Sequence, residues 1–138
     1  MIILENNKIR TLVSDIYTTR AYTAINKTIA AQTRFKESKG KGMISQILLK
    51  SNSQAYTFKA LIDNEIAYDF TYAFFLANTT DISNISAYVA GGFNYLTIQD
   101  LFFQKSFQLS IHPSTSIIFS LLHVRYAIVD EVIIKELV

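Results

Sequence analysis

The chain has 138 residues, ten Phe and eight Tyr but no Trp, no cysteine, one proline, two histidines and a formal net charge of +2. That length suits one domain with a core large enough to fold without cross-links. The absence of cysteine excludes a disulfide scaffold, thiolate metal sites and a cysteine nucleophile, and it suits a reducing interior.

Charge is unevenly spread. Residues 1–42 carry a net +5 and residues 43–138 a net −3. Such asymmetry fits a nucleic-acid-facing arm, like copies meeting through opposite charges, or a solvated face. The opening MIILENNKIR has an acid and two amides where a signal peptide needs an apolar run. The run AYDFTYAFFLA (67–77) contains an Asp and is too short for a membrane helix, so no membrane is expected.

Ile9, Leu12, Val13, Ile16 and Tyr17 have helical spacing, and the threonines at 18, 19, 23, 28 and 33 favour extended chain. A short N-terminal helix or extended arm over 1–19 is expected, leading into a β-domain over 20–138. Met43 to Leu49 is an apolar run entered through KGKG and left through SNSQ.

Tyr56, Phe58, Ala60 and Ile62 alternate along one face. Ile66, Tyr68, Phe70, Tyr72, Phe74 and Leu76 do the same after a break. A two-residue turn at Asp63-Asn64 would throw the two apolar rows onto opposite faces. A three-residue loop, 63–65, pairs Ile62 with Ile66, Phe58 with Phe70 and Tyr56 with Tyr72, and is the expected connection.

Further strands are expected from Tyr95 to Phe103, from Phe107 to Ile111 before His112-Pro113-Ser114, and from 116 to 129. On the last, Ile118, Leu122, Val124, Tyr126 and Ile128 are assigned to one face and Ile117, Phe119 and Leu121 to the other. Seven or eight short strands point to an all-β fold, an antiparallel β-sandwich or barrel.

Catalytic constellations are missing from the pattern. His112 and His123 have no acid at metal-ligand spacing, and Asp130-Glu131 are adjacent on a strand and so point apart. Asp63, Glu65 and Asp69 near one hairpin tip supply oxygen donors for calcium, although acidic tips more often serve solubility. KGKGMI lacks the GxxxxGK[ST] pattern and precedes a strand. An enzyme is not expected, nor a cofactor.

Binding surfaces remain. A last strand that is apolar on both faces has surplus surface for a protein interface, with Ile117, Phe119 and Leu121 as candidates beside Leu12, Ile16 and Tyr17 of the first segment. Tyr56, Tyr88 and Tyr95 are candidates for stacking on a glycan. Arg20, Lys27, Arg34, Lys36, Lys39 and Lys41 are candidates for phosphate contact with nucleic acid.

Two phrases, 38–65 and 96–129, carry a resemblance. Gly42 leads a strand, Ile62-Asp63-Asn64 forms a hairpin, Phe103 to Ile111 reads FQKSFQLSI, and Val124 to Ile128 reads VRYAI. In this spacing the chain resembles small β-sandwich structural proteins of phages and other viruses, with Asn64 where the pattern more often has glycine. Residues 1–37 share none of it. The resemblance implies a jelly-roll-like virion subunit (capsid, decoration, collar or adaptor), assembled in the host cytoplasm, whose partners are further copies of itself in a homo-oligomer and other virion proteins.

Overall fold

Alternation of apolar and polar side chains along the chain becomes two antiparallel sheets whose apolar faces meet. The computed structural model describes the backbone of residues 9–137 and the side chains of residues 16–130. In chain order the elements are β1 (Ile9–Ile29), β2 (Thr33–Lys39), β3 (Lys41–Ser51), β4 (Tyr56–Ile62), β5 (Glu65–Thr71), α1 (Tyr72–Asn78), β6 (Ile85–Ala90), β7 (Phe93–Phe103), β8 (Ser106–Pro113) and β9 (Ile117–Leu137). One sheet has the order β1-β9-β3-β7-β6 and the other β2-β8-β4-β5.

The ladders are nested. β1 pairs with β9, β2 with β8, β3 with β7 and β4 with β5, as when one long antiparallel ribbon folds over on itself. The wrap is closed by β3 against β9 and β4 against β8. This connectivity is that of a jelly-roll sandwich, with α1 and edge strand β6 added between β5 and β7. The core is aliphatic on the five-stranded side, with Ile44, Ile47, Leu49, Leu96, Ile98, Leu122 and Val124. Phe58, Phe107 and Leu109 face them from the other sheet.

The long strands change which face they bury part-way along. On β9, Ile117 and Phe119 are fully buried, and then the phase shifts at Ser120 so that Leu122, Val124, Tyr126 and Ile128 point inward. Opposite Ser120 on β1 lies Asn26, whose φ of 52° interrupts the pleat in the same place. A second break pairs Ser45 of β3 with Asp100 of β7, φ 60°. Each is a bulge-type irregularity, which re-aims side chains across the sheet. The expected face assignment on β9 is therefore corrected: Ile117 and Phe119 belong to the core, not to an outer interface, and Ile118 is the exposed neighbour.

Between β4 and β5 the turn is the two-residue one, with Asp63 and Asn64 both at positive φ (54° and 63°) and Ile62 opposite Glu65. Positive φ at both central residues defines the hairpin turn that matches strand twist, and Asp and Asn tolerate it better than other non-glycine residues. The expected three-residue loop is thus overturned. A bulge at Ala67, between Leu61↔Ile66 and Ala60↔Tyr68, restores the phase, so the expected Phe58↔Phe70 pairing stands.

The alternating row expected to continue to Leu76 stops at Thr71. Its hydroxyl accepts the Phe74 N–H at 3.2 Å and caps α1, which turns Tyr72 and Phe75 into the core at helical spacing. The Tyr72 hydroxyl reaches the carbonyls of Tyr88 and Tyr95 (3.1 and 3.0 Å), tying the helix to the β6–β7 ladder.

From residue 9 the N-terminal stretch takes the extended alternative, and the expected helix is absent among the described residues: β1 runs from Ile9 through position 20 to Ile29, and residues 1–8 of the expected arm lie outside them. Its β-branched and threonine-rich composition and the ladder to β9 outweigh the local helical spacing. In that ladder Leu12 lies opposite Ile134 and Val13 opposite Ile133.

Candidate interaction surface

β9 pairs with β3 only as far as Val129 opposite Lys41, while its pairing with β1 continues to Leu137 opposite Ile9. The β1–β9 pair therefore leaves the sandwich as a two-stranded ribbon about 25 Å long at the usual strand rise. Where it departs, the outer face of the five-stranded sheet is apolar. Tyr17, Val129 and Lys41 form one cross-strand row, and Thr19, Ala127, Met43 and Phe102 form the next. Between them lies a cleft of about 320 Å³ lined by Tyr17, Lys41, Met43, Phe102, Gln104 and Val129. Tyr17 and Phe102 are 65% and 66% exposed, large for aromatic side chains.

Gly42 forms the floor of this cleft. A methyl group there would run into the Ala127 carbonyl and come within 2.9 Å of the Phe103 ring, so β3 and β9 approach closely only because position 42 has no side chain. Next to it, the turn at Lys105 is held from both sides. Gly40 donates its N–H to the Lys105 carbonyl at 2.7 Å, and the Asp63 carboxylate accepts N–H groups from Gln104, Lys105 and Ser106. These backbone donors hold the Asp63 carboxyl below the usual aspartate range. A carboxylate so engaged is poorly placed to ligate calcium, and among the described residues no cluster of three or more His, Asp or Glu is arranged for a metal.

Higher on the same face runs a row across all five strands: Ile25, Leu121, Lys50, Tyr95 and Tyr88. The Tyr88 and Tyr95 rings stack with centroids 4.8 Å apart and 8° between planes, and the Lys50 ammonium lies 4.3 Å from the Phe93 centroid.

The structure divides the residues singled out from sequence. Ile16, Tyr17 and Leu121 are at or near the outer surface, whereas the Leu12 side chain lies outside the described residues. Tyr88 and Tyr95 come together. Tyr56 does not join them: it is buried against the Tyr72 and Phe119 rings and is corrected to a core residue. Burial, and then the Tyr72 hydroxyl nearby, pushes the Tyr56 phenol upward.

The basic residues do not share one groove. Arg20 and Lys27 lie seven residues apart on β1, Arg34 pairs with Glu37 at 3.1 Å, and Lys36 sits over the Tyr126 ring at 5.2 Å. Lys39 and Lys41 flank the Gly40 turn. His123 Nδ1 is 2.9 Å from the Thr23 hydroxyl, and His112 opens onto a polar hollow with Lys59, Asp69 and Ser110 on the other sheet.

Met43, Phe102 and Val129 were not singled out from sequence. The adjacent aromatics Phe102-Phe103 carried a usable signal, since neighbours on a strand point to opposite faces and only one can enter the core. Among the described residues no helix is long and apolar enough to cross a membrane. No protein-family model and no curated protein matches this chain.

Proposed function

We propose that this chain is a non-enzymatic structural subunit of a virion (capsid, decoration, collar or adaptor) that works by self-association and by contacts with other virion proteins. The observation that carries the reading is the β1–β9 ribbon leaving a jelly-roll sandwich beside an exposed apolar cleft. A two-stranded ribbon is marginal in water by itself and gains stability when another surface covers it. Jelly rolls recur in viral capsids, although a fold alone does not assign a function, so the weight rests on the uncovered surface. The test is solution mass by sedimentation across a concentration series. A defined oligomer that Phe102→Asp dissociates without loss of strand content is expected; a monomer at high concentration overturns the reading.

One observation favours a second reading, a glycan-binding module. Tyr88 lies on an edge strand, 47% exposed, at the end of a stacked aromatic row. Titration against a broad glycan panel tests it, and binding lost in Tyr88→Ala is the expected signature.

A further inference from the structure

β1 is the outermost strand of the five-stranded sheet, and among the described strands only β9 pairs with it. Its other edge offers unpaired N–H and C=O groups. From Ile9 to Ile25 the register to β9 is unbroken, and the segment has no proline, glycine or lysine. Proline, bulges and charged side chains are the usual guards against strand addition; between Tyr17 and Ile25 the only charge is Arg20, and the first bulge-type irregularity is at Asn26. A long edge of unbroken register with so few guards is a template for another strand.

The same edge is self-complementary. When two antiparallel strands meet across a twofold axis normal to the sheet, directly opposed residues lie on one face, so their numbers are both odd or both even. The outward residues of β1 are odd-numbered here, with Tyr17 65% and Ile25 71% exposed. Centred on Ala21, the pairing opposes Tyr17 to Ile25 and Thr19 to Thr23, and sets Ala21 against its own copy. The Tyr17–Ile25 and Thr19–Thr23 matches each occur twice. The neighbouring centres on the N-terminal side are worse: Arg20 would oppose two guanidinium groups, and Thr19 would leave Tyr17 facing only Ala21.

We infer that β1 is a dimerisation edge, which a second copy of this chain joins by antiparallel pairing centred on Ala21, extending the five-stranded sheet of each copy into one continuous sheet. This inference rests on the self-association reading and names the contact that performs it. Strand addition of this kind draws affinity from main-chain hydrogen bonds and specificity from the alternate side chains.

The chain has no cysteine, so single substitutions make clean probes. Ala21→Cys is oxidised, or treated with a short bis-maleimide linker, and resolved on a non-reducing gel; Tyr17→Cys is treated alike, alone and mixed with Ile25→Cys. Ala21→Cys is expected to cross-link to a dimer. Tyr17→Cys alone is not, because its two copies would lie about 26 Å apart along the strands. A disulfide needs α-carbons within about 7 Å, which the mixture with Ile25→Cys supplies. Self-association by sedimentation without cross-linking of Ala21→Cys, or with Tyr17→Cys cross-linking equally well, overturns this register and leaves the assembly reading standing. A monomer at all concentrations overturns both.

Discussion

Asp63 Oδ1 accepts the backbone N–H of Lys105 at 2.6 Å, so the tip of the β4–β5 hairpin is anchored to the turn between β7 and β8. Gln104 and Ser106 donate to the same carboxylate, and the Asp63 N–H donates to the Ser106 carbonyl at 2.9 Å. Because these bonds favour the ionised form, the folded-state pKa is lowered. A lowered carboxyl pKa contributes stability that is present above the unfolded value and is lost as pH falls through the folded one. Wild type is therefore expected to exceed Asp63→Asn in urea midpoint near neutrality. The gap should close below about pH 4, the ordinary aspartate range. A pH series of urea melts on both proteins measures it, and a pH-independent gap would count against the charge being the cause.

Tyr56 carries the converse situation. Its hydroxyl is buried without a hydrogen-bond partner. An unsatisfied buried hydroxyl costs about 1–3 kcal/mol, so Tyr56→Phe is expected to stabilise the fold by about 1 kcal/mol. Thermal melts of the two proteins decide it; a clear loss of stability would show that the hydroxyl is satisfied in solution.

The phase shift at Ser120 separates two phenylalanines that look alike in the sequence. Phe119 is fully buried and Phe102 is 66% exposed. Phe119→Ala is expected to cost about 3–5 kcal/mol in chemical denaturation. Phe102→Ala should stay within about 0.5 kcal/mol of wild type in the monomer, as surface substitutions do. It should instead weaken self-association in a sedimentation series.

Gly42 tests how closely β3 and β9 must approach. A methyl group at that position meets the Ala127 carbonyl, which is backbone and cannot rotate aside. Gly42→Ala is expected to cost at least about 1–3 kcal/mol, the usual penalty for overpacking. The effect should exceed that of Gly91→Ala, where a Cβ meets nothing within 4 Å and only the positive φ of 58° is strained.

The sandwich was legible in the alternation of Tyr56 to Ile62 and of Phe107 to Ile111, because a strand with one dry face must repeat every second residue. What the alternation could not carry was a change of phase. A count that runs straight through Ser120 places Ile117 and Phe119 outward, and a bulge leaves no mark in composition. The hairpin shows the same limit. Asp63-Asn64 was a sound turn signal, yet the face argument set it aside, since the compensating bulge at Ala67 is visible only when β5 is laid against β4. In α1 the residues Tyr72, Phe74 and Leu76 satisfy period 2 while Tyr72, Phe75 and Leu76 satisfy helical spacing, and the cap at Thr71 decides between them. On the interaction surface, Tyr17 is legible as a member of the apolar row Ile9, Leu12, Val13, Ile16 and Tyr17, although that row has helical spacing and the segment is a strand. Met43 and Val129 are not legible, since their exposure depends on which strands end beside them.

The ribbon also has a mechanical consequence. Its two strands enter the sandwich side by side, and β9 continues inside it between β1 and β3. A force applied to the far end of the ribbon, pulling on both strands together, is carried into the body along the β9 axis. It loads the hydrogen bonds between β9 and β3 in shear, many at once, rather than peeling them one after another.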